Sequence, residues 1–498
     1  MGSLSCGGKL KACLESKKLV IVIVYASLMV DNILQTAVDV FILIPSNLLK
    51  YSHDYKRALL IVKKYFCTHY PSYHILCCIK FDPKKRNDLF SVPVLPEYFS
   101  QMHFNFTTGK TETMSGPQTH QVTNHTKTLT HQCPHRKAVS SQQSFYMGII
   151  LSAKPLVQVL ANFAFGPITD KIGFDVPLLA GYIVMATSAL MFAFGKSFVF
   201  LLVARAIQGI GSAATATAGL SWVADTYTEK VERGWAIGMS FGGLALGVLV
   251  GPTYGSLIYQ YVGKEYVFII LAVMAVLLIV VRLTTRKIRI FRRPSDEMGS
   301  SIFTLLKDPY ILVVAISLTA GTSSITALET AQPTWMLKTM CPTKLDLGLS
   351  FLPITGMYLI TTYGIAFMGH KVARWILCLI GFYLQVVGLV IYPFVRTVPE
   401  VVGPGCLIGI GISFIDGLLP VLAFLVDTRH KPIYGSVCAI ADISFSFSYA
   451  LGPLIAGAVM AKVGFKWVMW GIGIIFFLYA PIISVLSKVT VKDEEATV

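Results

Sequence analysis

Long apolar runs separated by short polar turns dominate the chain. A helix needs about 20 apolar residues to cross a bilayer. Twelve stretches meet that length: 19–46, 143–166, 174–195, 197–224, 233–256, 265–284, 310–331, 347–368, 374–394, 400–426, 434–461 and 465–486. They are numbered here as spans 1 to 12. The runs are long enough for membrane-spanning helices. The expectation is an all-α membrane protein with two six-helix halves.

The loops between the runs set the orientation. Residues 1–18 are polar, carry Lys9, Lys11, Lys17 and Lys18, and lack the apolar core of a signal peptide. Basic residues also gather at Asp170-Lys171, at Lys230 and Arg233, across Arg282 to Lys307, and at His370-Lys371 with Arg374. All of these fall on the side of the N-terminus, while the loops at Gly195-Lys196 and Tyr261 to Glu265 are lighter in charge. The positive-inside rule then predicts that both termini are cytosolic. The expected plan is a cytosolic segment 1–18, a first half 19–284, a cytosolic linker 285–309, a second half 310–486 and a cytosolic tail 487–498.

Span 1 is followed by a long insert, 47–142. Its first part, Tyr51 to Arg86, is basic, aromatic and Cys-rich, and its second part is rich in Thr, Asn, His and Gln. The second part holds two glycosylation sequons, at Asn105 and Asn124. Four of the ten cysteines (Cys67, Cys77, Cys78 and Cys133) lie in this insert, and none of the ten has metal-site spacing.

Composition sharpens this picture. The chain is 54% hydrophobic and only 14% charged, against about 25% charged in soluble domains. The net charge of +16 reads as basic loops facing anionic lipid, not as a nucleic-acid surface. No nucleophile–base pair or metal motif argues for an enzyme, no cofactor is expected, and the span count excludes a seven-span receptor.

The candidate chemistry lies where charge interrupts the apolar runs. Asp31-Asn32 falls near the middle of span 1, with Gln35 and Asp39 following at i+4 and i+8 on one face. Span 2 carries Lys154, Gln158 and Asn162 at the same spacing; span 4 holds Arg205 and Gln208 before Gly209-Ile-Gly211. Glu329, Asp416 and Asp442 sit in spans 7, 10 and 11. Charge within hydrocarbon is costly and marks functional positions. Asp31, Glu329, Asp416 and Asp442 against Lys154 and Arg205 leave a surplus of two carboxylates, which suits a cavity that takes a cation and titrates protons.

Span 5 has glycines at 243, 247, 251 and 255, with Pro252 among them. This periodicity predicts a smooth groove for a close helix neighbour. Span 11 echoes it with Gly452-Pro453 and Gly457, as expected of a two-repeat transporter that moves about its repeat interface.

Gly166-Pro-Ile-Thr-Asp170-Lys171-Ile-Gly173, Arg205-Ala-Ile-Gln208-Gly-Ile-Gly211 and the span-5 run resemble motifs of the major facilitator superfamily. Further motifs are similar to the vesicular amine transporters: Asp31-Asn32, Ser152-Ala-Lys154, Leu305 to Ile311, Ala327-Leu-Glu329, Leu425 to His430 and Tyr434 to Asp442. Within that family the acetylcholine branch carries an acid in span 4 where this chain has Ala216. The resemblance therefore favours the monoamine branch, whose members are proton antiporters of acidic secretory or synaptic vesicles.

The resemblance implies a role for each matching position. Asp31 would hold the substrate ammonium, with Asn32 beside it and Glu329 contributing from the other half. Lys154, Gln158, Asn162 and Asp442 would form a polar network, with Tyr449 nearby. Asp416 would couple protons, with Arg205 close to it. Trp335 and Tyr358 would line the luminal side, and Arg233 and Tyr434 would belong to a cytosolic gate. Cys133 and Cys341 match a luminal disulfide of the family. The implied partners are a small cationic amine, protons and membrane lipid, acting on a monomer.

The chain departs from the family at Leu151, where an aromatic gate residue is usual, at Cys438, where the gate has Tyr, and beyond Thr36, where span 1 is two residues longer. Two other readings stay open: a drug/proton exporter of the same superfamily, and a transport-dead receptor or sensor that keeps the fold.

Overall fold

The computed structural model describes residues 17–43, 141–195, 197–285, 300–340, 346, 349–368, 372–431 and 433–488. Asn105, Asn124, Cys133, Cys341 and nearly all of the insert 47–142 lie outside the described residues.

Each predicted run forms a helix. Spans 1 to 6 are Lys17–Leu43, Ser141–Ile172, Asp175–Phe194, Phe198–Thr226, Lys230–Tyr261 and Lys264–Thr285. A short helix, Ile302–Leu306, leads into the second half. Spans 7, 8 and 9 are Pro309–Thr339, Leu352–Met368 and Arg374–Ile391. Span 10 is broken into Val402–Asp416 and Leu419–Arg429, and spans 11 and 12 are Gly435–Val463 and Phe465–Tyr479, the last continued by a 3-10 turn, Ala480–Leu486. Eleven of these are long and apolar enough to cross a membrane among the described residues; the twelfth, Leu352–Phe367, is apolar but shorter.

The break in span 10 has a local cause. Pro420 has no N–H to donate to the carbonyl of Asp416, four residues earlier. The chain turns through tighter bonds instead, from Leu418 N to Ile415 O at 2.9 Å and from Val421 N to Leu418 O at 2.8 Å. Asp416 thereby ends a helix inside the bundle rather than lying along one.

The two halves pack alike. Span 1 lies along span 5 as span 7 lies along span 11. Span 3 packs on spans 4 and 6 as span 9 packs on spans 10 and 12. The halves meet where span 2 crosses span 11 and span 5 crosses span 8. Apolar side chains such as Leu160, Ile183, Val273, Val387 and Ile475 stay exposed around the outside. That belt suits hydrocarbon as solvent.

Glycine decides how close spans 1 and 5 come. A methyl group on Gly247 would stand 2.7 Å from the Met29 carbonyl oxygen and from the Asn32 Cβ. Gly243, Gly251 and Gly255 face Tyr25, Thr36 and Ala37 in the same way. In the second half Gly452 faces Thr326 on span 7. The glycine stripe is therefore the seat of the helix that carries the central acid.

Buried charge pins the bundle at the face that carries the 285–309 connection, called here the linker face. Arg282 on span 6 pairs with Asp175 on span 3 and lies 4.6 Å over the Trp222 ring of span 4.

Candidate functional site

Span 1 buries Asp31, at 5% exposure, against span 2 and span 4. One carboxylate oxygen accepts from the Ser212 hydroxyl at 2.6 Å. The other faces the Lys154 ammonium at 3.4 Å. Lys154 makes a shorter bond, 2.6 Å, to the side-chain oxygen of Gln35, one turn beyond Asp31. Arg205 donates to Gln208 at 3.0 Å and reaches the Gln35 carbonyl at 3.5 Å. A carboxylate, an ammonium and a guanidinium thus share one buried layer of the first half.

Gly209 makes this layer possible. A Cβ there would stand 2.5 Å from the Lys154 carbonyl oxygen and 3.1 Å from the Gln158 amide nitrogen. Span 4 can press on span 2 only without that side chain.

The next turns of span 2 reach across the junction. Gln158 donates to both oxygens of Asp442 on span 11, at 3.0 and 2.9 Å, and Asn162 donates to one of them at 2.5 Å. Thr217 on span 4 donates to the Asn162 side-chain oxygen at 2.8 Å. This chain fixes the amide orientation. Asp442 therefore meets neutral amide donors from the opposite half, while Asp31 meets an ammonium.

Asp416 is isolated in the second half. Tyr358 donates to one carboxylate oxygen at 2.8 Å, and the other oxygen is buried with no hydrogen-bond partner. Beside it, Thr362 and Ser413 share a bond of 3.0 Å.

The described polar contacts between the halves lie at the level of Asp442 or nearer the linker face. Asp170, at the end of span 2, accepts from the backbone N–H groups of Gly435 and Ser436 at 2.7 and 3.0 Å, and from the Ser436 hydroxyl. It so caps the N-terminus of span 11, a favourable place for a carboxylate. Arg233 on span 5 pairs with Asp427 on span 10 and lies 4.9 Å from the Tyr434 ring centre; the Tyr434 hydroxyl donates to Asp427 at 2.6 Å. Tyr25 and Tyr363 join spans 1 and 8 at 2.8 Å. These contacts close the linker face.

The expected site residues fall into three groups. Asp31, Lys154, Gln158, Asn162 and Asp442 form one connected region, as do Arg233 and Tyr434 at the linker face. Others sit differently from expectation. Arg205 bonds within the first half, to Gln208 and span 1, while the described bond of Asp416 goes to Tyr358. Asn32 folds back to donate to the Leu28 carbonyl at 2.8 Å. Trp335 stacks on Phe465 at 4.3 Å inside the second half. Glu329 is exposed on span 7, and Tyr449, Leu151 and Cys438 are half-buried. Leu151 packs on an apolar cluster of the first half, and Cys438 on the main core.

Four participants escaped the reading of the pattern. Ser212 and Thr217 are small hydroxyls in an Ala/Thr-rich helix and carry no signal of their own. Tyr25 and Tyr363 look like ordinary aromatic residues of a span. Gln35 was visible as a polar position, but its partner was not.

Comparison with known proteins agrees with this architecture. The model of the Major Facilitator Superfamily matches residues 135–437. The human organic anion transporter MFSD10 superposes with a TM-score of 0.65 at 17% identity, covering 94% of this chain and 99% of that one, and so shares the fold. The synaptic vesicular amine transporter of Rattus norvegicus is 35% identical over 491 residues, 97% of this chain and 91% of the relative. The chromaffin granule amine transporter of the same organism is 40% identical over 361 residues, 72% and 68% of the two chains. The vesicular acetylcholine transporter of Torpedo marmorata is 36% identical over 351 residues, 69% and 68%. With its paired six-helix halves and buried carboxylates, the chain belongs to the vesicular amine transporters of the major facilitator superfamily.

Proposed function

We propose that this chain exchanges protons for protonated monoamines, loading the amines from the cytosol into an acidic vesicle. The observation that carries the reading is Asp31, buried at mid-span and held by Ser212 and, at 3.4 Å, by Lys154. A buried carboxylate needs hydrogen-bond donors or a cationic partner, and Asp31 faces an ammonium. Here that partner is exchangeable: Lys154 stands in for the substrate ammonium when the site is empty.

The basic linker face is the cytosolic face on charge grounds. The described conformation is then closed to the cytosol, which is the state from which amine leaves to the lumen. In the opposite state the Asp170, Arg233 and Tyr25 contacts part, an amine enters and displaces Lys154 from Asp31, and the halves rock about the span 2–11 and 5–8 crossings. Asp416 accepts the luminal proton at its unpartnered oxygen and gives it up on the cytosolic side. Asp442, satisfied by neutral amides, links the proton state of the second half to span 2. Ala216 lies in the apolar core, where an acid would be out of place; this supports monoamines over acetylcholine.

Proteoliposomes with an acidic interior should accumulate labelled serotonin, and collapsing the gradient should stop uptake. Asp31→Asn should abolish binding. Uptake that persists without a gradient would overturn proton coupling; normal binding by Asp31→Asn would overturn the assignment of the ammonium site.

A further inference from the structure

We infer that Gln35 is a positioning residue that sets how strongly Lys154 competes with the amine for Asp31. The inference rests on the reading of Asp31 as the ammonium site.

The distances carry it. Lys154 Nζ lies 2.6 Å from the Gln35 side-chain oxygen but 3.4 Å from the Asp31 carboxylate. In hydrocarbon surroundings an ammonium closes on a carboxylate unless something holds it off, because the attraction rises as distance and dielectric fall. A neutral amide oxygen at hydrogen-bonding distance does so without adding charge. Gln35 is on the same face as Asp31, one turn along. Its own backbone carbonyl is approached by Arg205 at 3.5 Å, which ties that turn to span 4. The Ser212 hydroxyl occupies the other oxygen of Asp31 at 2.6 Å. The loosely held edge of the carboxylate is therefore the one toward Lys154, and Gln35 decides how loosely. A tight Lys154–Asp31 pair would have to be broken by every incoming amine; a pair held apart leaves the carboxylate ready for exchange.

The test is equilibrium binding of labelled serotonin to the purified full chain, with uptake kinetics alongside. Gln35→Leu removes the acceptor, lets Lys154 close on Asp31, and should weaken binding about tenfold, the worth of one charge-assisted hydrogen bond. The loss should fall on KM, with kcat changed less than about twofold, because the altered step is ground-state binding. In a Lys154→Met background serotonin should still bind, and adding Gln35→Leu should then change nothing. Wild-type binding by Gln35→Leu, an equal loss in the Lys154→Met background, or loss of all binding in Lys154→Met itself would overturn the inference. Asp31→Asn separates the two levels: if it loses binding while Gln35→Leu does not, the ammonium site stands and only the role of Gln35 falls.

Discussion

Tyr25 on span 1 and Tyr363 on span 8 share a hydroxyl–hydroxyl hydrogen bond of 2.8 Å that joins the two halves of the molecule. The bond exists because span 5 lets it form. Gly243 admits the Tyr25 backbone on one side of that helix, and the Tyr363 ring rests on Gly242 at its neighbour's position, 2.8 Å from where a Cβ would be. Closure at the linker face is therefore partly a property of two adjacent glycines.

Tyr25→Phe keeps the ring and removes the bond. A neutral hydrogen bond contributes about 1 kcal/mol, so the closed-to-open ratio should fall roughly fivefold. Alkylation of Cys438 from the linker face, followed by mass spectrometry of its peptide, should speed up by a similar factor. An unchanged rate would mean that the tyrosine pair contributes nothing to closure.

Arg233 and Asp427 form an ion pair that Tyr434 completes. Removing one partner leaves the other charge poorly compensated. Arg233→Gln and Asp427→Asn should each lower the melting temperature in detergent, and the double variant should be little worse than the poorer single. A coupling energy of about 1–3 kcal/mol is expected from such a cycle. Additive losses would show that the two residues act independently.

Gly209→Ala should misplace the site without touching a charge. The added methyl would stand 2.5 Å from the Lys154 carbonyl oxygen, and relief requires span 2 to move away from span 4. Overpacking of this kind costs about 1–3 kcal/mol. Serotonin binding should fall together with thermal stability, while Gly356→Ala, which faces open space, should lower neither. Full binding by Gly209→Ala would show that the layer tolerates a wider spacing.

Asp308 offers a pH test outside the membrane-spanning segments. It caps span 7 through the Tyr310 N–H at 3.0 Å and accepts from Arg429 at 2.6 Å, with His430 at 3.3 Å. Burial works to raise its pKa, but the Arg429 bond, the Tyr310 N–H, the Arg429 charge and His430 outweigh it, and the net shift is downward. A lowered carboxylate contributes stability above its unfolded pKa, near 3.9, and loses it as pH falls further toward the folded value. The melting-temperature gap between the wild type and Asp308→Asn should thus be constant from about pH 8 to pH 5 and shrink below about pH 4. A gap that stays constant below pH 4 would show that the ionised Asp308 carboxylate contributes no such stability.

The hydrophobic pattern alone determined the number, order and approximate ends of the spans, because each helix must present some twenty apolar residues to lipid whatever it packs against. It also exposed Asp31, Lys154, Asp416 and Asp442, since charge in such a run is conspicuous for its cost. The glycine repeat of span 5 announced a close neighbour. Pairing was a different matter. Nothing in the sequence says that Lys154 turns to Gln35 more closely than to Asp31, that Gln158 and Asn162 both meet Asp442, or that Arg205 stays in the first half while Asp416 binds Tyr358. These choices depend on which helix faces cross, and at what depth, between residues as many as 284 positions apart. Trp335, Ser212 and Tyr25 make the same point: an aromatic ring or a hydroxyl in an apolar run reads alike whether it fills a core or joins two halves. Only the tertiary packing, which sets the partners within hydrogen-bonding reach, separates those cases.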